Sequence, residues 1–324
     1  PYAALAERGG EDPALEAAAR RDIETFTLLA ELDWDQVLAE VGGKAPREYG
    51  PVLANLPRWR GSSPFSFAEL TEFYRANGAG LFARHRAFLW EDGALCPVEQ
   101  PDCPGADEML GYELQRNRVI ANTRAMLEGN LVNNVLLYGD SGTGKSATVK
   151  NLLTLPGFEA LRLIEVQKEG LADLPRLIRT LGGRRLKFIL FIDDLAFDQD
   201  DKTYSALKTI LEGGLERRPA NVAVYATSNR RRLVRQTFSD RAGDEVDASE
   251  TIQEKTSLSD RFGLRIPYLA LNQAEFLELV EGMAEQAGIA LDRDSLRAEA
   301  VKWEMRNPGR TPRTAKQFIA SLSL

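Results

Sequence analysis

The sequence predicts an α/β protein, with a parallel-sheet core preceded by a helical N-terminal region and followed by a small helical tail. Three observations carry this expectation. Short apolar runs at 134–138, 161–166, 188–192, 222–226 and 264–269 alternate with helical patterns, as buried parallel strands covered by helices on both faces do. A glycine-rich string, Gly139-Asp140-Ser141-Gly142-Thr143-Gly144-Lys145-Ser146, joins the first run to a helix carrying Val149, Leu152 and Leu153. From Asn272 onward the pattern is purely helical.

The first run, Val135-Leu136-Leu137-Tyr138, enters the glycine string as a strand enters a phosphate-binding turn, and the string fits G-x-x-x-x-G-K-S. Glycines let successive backbone amides point inward at phosphate oxygens, and the helix N-terminus adds partial positive charge. Lys145 would reach the terminal phosphates of ATP, and the Ser146 hydroxyl would meet Mg²⁺. The run Phe188-Ile189-Leu190-Phe191-Ile192 ends in Asp193-Asp194, at the strand edge where ligands bind in open α/β sheets. Asp193 would hold the metal, directly or through water, and Asp194 would orient or deprotonate the attacking water. The plainer reading of the pair is a solvated acidic strand end continuing into Asp198, Asp200 and Asp201.

Bulk properties bound the rest. The 324 residues exceed one ordinary domain of about 100–200 residues. With 44% apolar and 27% charged residues, neither a disordered nor a fibrous chain is indicated. A net charge of −7 argues against a surface that wraps nucleic acid all round, while leaving room for a local basic patch. No window approaches the ~18 apolar residues of a membrane helix, and Pro1-Tyr2-Ala3-Ala4 begins no leader, so the expectation is a cytoplasmic protein without a membrane partner. The missing initiator Met reads as a fragment or a processed product. Cys96, Cys103 and the single histidine, His85, cannot supply the four soft ligands of a structural zinc. The cysteines read as reduced thiols, with a disulfide as the alternative, and His85 as a packing or surface residue.

The organisation expected is 1–105 as a helical region and linker, 106–271 as the nucleotide-binding core and 272–324 as a helical lid. Helix is expected from Glu11 to a stop at Gly42-Gly43, and again from Ser66 to Trp90, with Pro46, Pro51, Pro57 and Pro64 marking a connector between them. The proline-rich segment 96–105 reads as the linker.

With these motifs in order, the chain resembles the AAA+ superfamily of P-loop ATPases. Leu110-Gly111-Tyr112-Glu113 is similar to the segment beside the adenine. Asn229, closing Ala226-Thr227-Ser228-Asn229, is similar to the sensor-1 residue that aligns water with the terminal phosphate. Ser257-Leu258-Ser259-Asp260-Arg261-Phe262 resembles the arginine-finger segment, which implies that Arg261 acts on the ATP of a neighbouring subunit and that the protein is a homo-oligomer; a surface pair with Asp260 is the alternative. The string from Gly309 to Phe318 resembles the sensor-2 region, with Arg313 as the implied contact to the terminal phosphate and Arg310 as the competing choice.

From Leu110 on, the chain is most similar to a bacterial family of ATP-binding proteins of unknown function. The strings that carry this are Phe191-Ile192-Asp193-Asp194-Leu195, Leu211-Glu212-Gly213-Gly214-Leu215-Glu216, Tyr225-Ala226-Thr227-Ser228-Asn229-Arg230-Arg231 and Ser257-Leu258-Ser259-Asp260-Arg261-Phe262-Gly263-Leu264. The resemblance implies ATPase chemistry and leaves the client open. One departure stands out: the superfamily's usual Asp-Glu pair is Asp193-Asp194 here, and a side chain one methylene shorter implies a different approach to the water or slower turnover.

Arg230, Arg231, Arg232 and Arg235, followed by Asp244, Glu245, Asp247, Glu250 and Glu254, read either as a nucleic-acid or partner contact or as a self-neutralising loop. Only Phe238 is interleaved, which gives base stacking little support. Glu212-Gly213-Gly214-Leu215-Glu216 shows no aromatic pore pair, which counts against threading of polypeptide. The function expected is an oligomeric ATP-driven motor or remodelling switch acting on an unidentified client. The alternatives are a nucleotide-gated binding module with little turnover and a helicase-loader-like ATPase on nucleic acid.

Overall fold

The computed structural model describes residues 1–44, 46–54, 66–197, 207–208, 210–211, 218–229, 258–307 and 309–322. These form two compact units, Pro1–Ala83 and Arg84–Leu324. Asp198, Asp200, Asp201, the glycine turn at 212–216, Ser257 and the charged stretch from Arg230 to Glu254 lie outside the described residues.

The first unit is helical, with α1 (Tyr2–Arg8), α2 (Pro13–Glu31), α3 (Trp34–Lys44), α4 (Gly50–Ala54) and α5 (Phe67–Asn77), followed by a short α6 (Leu81–Arg84) where the chain leaves it. Asp12 caps α2 by accepting from the Ala14 and Leu15 amides at 3.0 and 3.1 Å, with Pro13 at the first helical position. The single helix expected from Glu11 to Gly43 is in fact two. Backbone turns extended at Leu32 (ψ 135°), and the Asp33 carboxylate restarts the helix by accepting from the Asp35 and Gln36 amides, each at 3.1 Å. Gly42 and Gly43 lie inside α3 rather than ending it.

The second unit is built on a seven-stranded sheet among the described residues, in the order β2-β1-β4-β5-β6-β3-β7. Its strands are β1 (Ala87–Glu91), β2 (Ala94–Pro97), β3 (Val135–Gly139), β4 (Leu161–Val166), β5 (Lys187–Ile192), β6 (Val222–Ser228) and β7 (Leu264–Tyr268). Every neighbouring pair is parallel except β1 and β2.

Here the structure corrects the expected helix to Trp90 and the linker at 96–105. Residues 87–97 form a hairpin that extends the sheet beyond β4, so the compact unit begins ahead of the proline-rich segment. The reason is local. Asp92 (φ 48°) and Gly93 (φ 75°) both take positive φ in a two-residue turn closed by the Glu91–Ala94 pair, the geometry that Asp-Gly favours in hairpins. His85 lies edge-on to Phe88 with ring centroids 6.4 Å apart, a packing contact. Cys96 and Cys103 are free thiols.

The central strands are largely apolar because both faces are covered, β5 carrying no charged residue from Phe188 to Ile192 and β6 none from Val222 to Ala226. Val135, Leu137, Ile189, Phe191, Ala223 and Tyr225 pack with Val119 and Met126 of α7 (Glu113–Leu127) and Val149 of α8 (Lys145–Asn151). Beyond β4, α9 (Leu174–Leu181) buries Leu174, Leu177, Ile178 and Leu181.

The tail forms α10 (Gln273–Gln286), α11 (Arg293–Arg306) and α12 (Pro312–Leu322) around a core of its own, including Phe276, Val280, Ala300, Ala315 and Phe318. Asn272 and Glu275 close a capping box at the start of α10, at 3.0 and 2.9 Å. Glu281 ties α10 to α11 by accepting from Arg293 at 2.9 and 3.0 Å and from Arg297. These bonds hold its carboxyl at about 2, well below the usual value of 4.5. The folded-state pKa is depressed, so the stabilisation is complete above pH 4.5 and fades as pH falls towards 2. Glu281→Gln should lower the melting temperature at neutral pH by about 2–4 °C. It should also flatten the acid limb of melting temperature against pH below 4.5, as followed by circular dichroism.

Candidate functional site

The order β5-β6-β3 brings three strand ends side by side, and each ends in polar residues. Asp193 and Asp194 follow β5, Thr227 and Ser228 close β6 ahead of Asn229, and the glycine string leaves β3. The chain passes from β3 out to β4 and returns through β5 and β6, so ligand-facing turns collect where the connections reverse.

The loop leaves β3 through Gly139 at φ 137°. A Cβ there would lie 2.1 Å from the Tyr268 carbonyl oxygen, so only glycine permits the close approach of β7. Asp140 straps the loop to the segment after β7, its amide donating to the Tyr268 carbonyl at 2.9 Å and its carboxylate accepting from the Ala270 amide at 2.6 Å. The Thr143 hydroxyl donates to the Asp140 carbonyl at 2.8 Å, and Gly144 (φ 90°) caps α8.

Lys145 is 6% exposed. Its ammonium donates to the carbonyls of Gly139 at 3.2 Å and Asp140 at 2.6 Å and to Asn229 Oδ1 at 2.9 Å. Burial pushes its pKa down, and the nearby Asp140, Asp194 and Asp193 carboxylates oppose that shift. Asn229 hands the contact on, its Nδ2 donating to Asp194 Oδ1 at 2.7 Å. The Ser146 hydroxyl donates to Asp193 Oδ1 at 2.6 Å, and the same oxygen accepts from the Thr227 hydroxyl.

Two further walls complete a cavity of about 360 Å³. One is Leu110-Gly111-Tyr112, fixed by Arg116, which donates to the Met109 carbonyl and to the Gly111 carbonyl at 2.6 Å. Tyr112 sits at φ 57°, stacks on Tyr268 at 5.1 Å, and donates to the Leu269 carbonyl at 2.6 Å. Burial raises the pKa values of both phenols, that of Tyr268 to about 12. The other wall is the lid, through Met283, Pro312, Arg313 and Lys316. The Arg313 amide donates to the Gly142 carbonyl at 3.2 Å and its guanidinium to the Ser141 hydroxyl at 3.4 Å.

The expected residues therefore divide clearly. Tyr112, Ser141, Gly142, Thr143, Gly144, Lys145, Ser146, Asp193, Asp194, Asn229 and Arg313 line this one cavity, and Gly139 and Asp140 form its base through Lys145 and β7. Arg310 lies 2.7 Å from Glu304 and is not among the lining residues, which favours Arg313 of the two. Arg261 is exposed and is not among the residues that line the cavity, and Asp260 pairs with Arg265 at 2.5 Å. Sequence reasoning missed Thr227, Arg116, Met283 and Lys316. Lys316 had a signal, since it stands three residues after Arg313 on one helix and shares its face.

Residues 83–323 match the model of a family described as "Protein of unknown function (DUF815)". The chain belongs to this family. The mostly parallel sheet, the glycine-rich loop after β3 and the small helical tail give this DUF815 chain the α/β architecture that the sequence predicted. No curated protein matches the chain. Among solved structures it is similar to the Thermotoga maritima RuvB Holliday junction branch migration motor, at 17% identity and a TM-score of 0.42, covering 68% of this chain and 63% of that one. A mutant of the same RuvB gives 16% identity, a TM-score of 0.43 and coverage of 68% and 64%. The DUF815 chain thus spans less than two thirds of the solved structures it matches. No helix among the described residues is long and apolar enough to cross a membrane.

Proposed function

We propose that this protein binds ATP with Mg²⁺ and hydrolyses it, as an AAA+ remodelling ATPase whose subunits complete one another's sites through Arg261. The observation that carries the reading is the convergence of Lys145, Ser146 and Asp193 on one cavity, with Ser146 Oγ only 2.6 Å from Asp193 Oδ1. Two hard oxygen donors so close, beside a buried ammonium and a glycine-rich loop, suit a magnesium triphosphate. Gly142 fits a cradle too, since a Cβ on it would come within 3.0 Å of Arg313 Cβ and push the lid residue off the loop.

In this reading Ser146 and Asp193 hold the metal, and Mg²⁺ when bound neutralises charge on the phosphate oxygens. Lys145 holds the terminal phosphates and Tyr112 flanks the base. Asp194 orients the attacking water and accepts its proton, steadied by Asn229 at 2.7 Å. Arg313 brings a positive charge from the lid and so couples the state of the phosphates to lid position. The client is a separate partner, and recognition of it falls to surfaces outside the cavity.

Asp194→Asn tests the chemistry. It should leave Mg²⁺-ATP affinity within a few-fold of wild type and lower kcat by about 10² or more, as measured by phosphate release. Unchanged turnover would mean that water is activated by another group. The same variant, loaded with ATP and used as bait, should retain the client that the wild-type protein releases.

A further inference from the structure

Asp193 and Asp194 leave β5 just past the point where its ladder with β6 ends, at Ile192 opposite Ala226. From there the two strand ends are joined by a different set of bonds centred on Thr227, which is 1% exposed. The Thr227 hydroxyl donates to Asp193 Oδ1 and accepts from the Asp194 amide at 2.9 Å. Its carbonyl accepts from the Leu195 amide at 2.7 Å, and the next residue, Ser228, donates its hydroxyl to the Leu195 carbonyl at 2.8 Å.

We infer that Thr227 is the positioning residue of the carboxylate pair, a single hydroxyl that orients the metal-side Asp193 and fixes the backbone turn that aims Asp194. The inference rests on the proposed Mg²⁺-ATP site and assigns a role within it. A hydroxyl has one proton to give and lone pairs to accept with, and Thr227 uses both at once on consecutive residues. Its proton goes to the same Asp193 oxygen that receives the Ser146 hydroxyl, so the carboxylate is held by two donors in one rotation.

Its lone pair takes the Asp194 amide at a residue with φ 49°, a left-handed conformation that aspartate adopts uncommonly and that persists where its surroundings fix it. This bears on the missing methylene. With aspartate in place of glutamate, the left-handed turn rather than side-chain length brings the carboxylate to Asn229 and the cavity. A valine or alanine at 227 leaves the Asp194 amide without its acceptor and Asp193 with one donor fewer, beside the buried Thr227, Ser228 and Leu195.

The test compares Thr227→Val, which keeps the branched shape, with Thr227→Ser, which keeps the hydroxyl. ATP affinity is measured by calorimetry in EDTA and in excess Mg²⁺, and Mn²⁺ binding in the presence of ATP by electron paramagnetic resonance. Thr227→Val should match wild type in EDTA within about threefold, lose about tenfold or more of the metal-dependent gain in affinity, and lower kcat more than it changes KM. Thr227→Ser should restore all three. If thermal melts show that the valine variant does not fold, Thr227→Ala replaces it with the same expectation. Retention of the full metal-dependent gain by a folded valine or alanine variant overturns the role of Thr227 and leaves the proposed function standing. Absence of ATP binding in the wild-type protein overturns the proposed function, and the Thr227 assignment with it.

Discussion

Lys145→Ala should reduce ATP affinity by about 10² or more, enough to leave no saturable binding in a calorimetric titration. The ammonium is the cation at the base of the phosphate loop, and Asp140, Asp193 and Asp194 all act on it. Alanine removes the buried cation that stands among those carboxylates, which then face an anionic ligand more closely. The substitution also frees Asn229, whose Oδ1 receives Lys145 at 2.9 Å while its Nδ2 donates to Asp194 at 2.7 Å. Lys145→Arg separates the two effects. It keeps the charge but carries a broader, planar head into a position buried to 6% exposure, so it should recover only part of the affinity. Binding within threefold of wild type in the alanine variant would show that the loop does not grip phosphate through this residue.

The parts of the molecule legible in its sequence are those whose physics is local. The runs that became β3, β5 and β6 are nearly continuous apolar stretches, because strands covered on both faces have no polar side to alternate with, while β4 and β7 carry Arg162, Glu165 and Arg265 among their apolar residues. The glycine string could be located because Gly139, at φ 137° against the Tyr268 carbonyl, permits no side chain. The β1–β2 hairpin was hidden because Phe88 and Leu89 continue an amphipathic pattern from α5. Its marker was the Asp92-Gly93 turn, a two-residue signal outweighed by a long helical period. The division of α2 from α3 was masked in the same way, since Leu32 and Trp34 keep the apolar spacing across Asp33. Thr227 stayed illegible for a different reason: its partners lie 33 and 34 positions away, and only the adjacency of β5 and β6 makes a buried threonine a contact of the Asp193 carboxylate and the Asp194 amide.

Arg261→Ala should lower kcat by about 10³ while leaving ATP affinity nearly unchanged, if, as proposed, the residue acts on a neighbour's nucleotide and not on its own. Its place in the fold supports this. Arg261 stands in the turn between buried Leu258 and Phe262 just before β7, is itself exposed, and lies outside the cavity of its own chain. Asp260, the competing partner, engages Arg265 at 2.5 Å. Action between subunits has a consequence that action within one chain lacks. Mixing Lys145→Ala protein, which cannot bind ATP but carries Arg261, with Arg261→Ala protein, which binds ATP but lacks the guanidinium, should restore phosphate release at the mixed interfaces. Light scattering should show ATP-dependent growth in mass for wild type. Failure of the two inactive variants to complement each other, in a mixture shown by mass to co-assemble, would place Arg261 outside the catalytic interface. A wild-type chain that stays monomeric in saturating Mg²⁺-ATP would end the trans-acting assignment altogether.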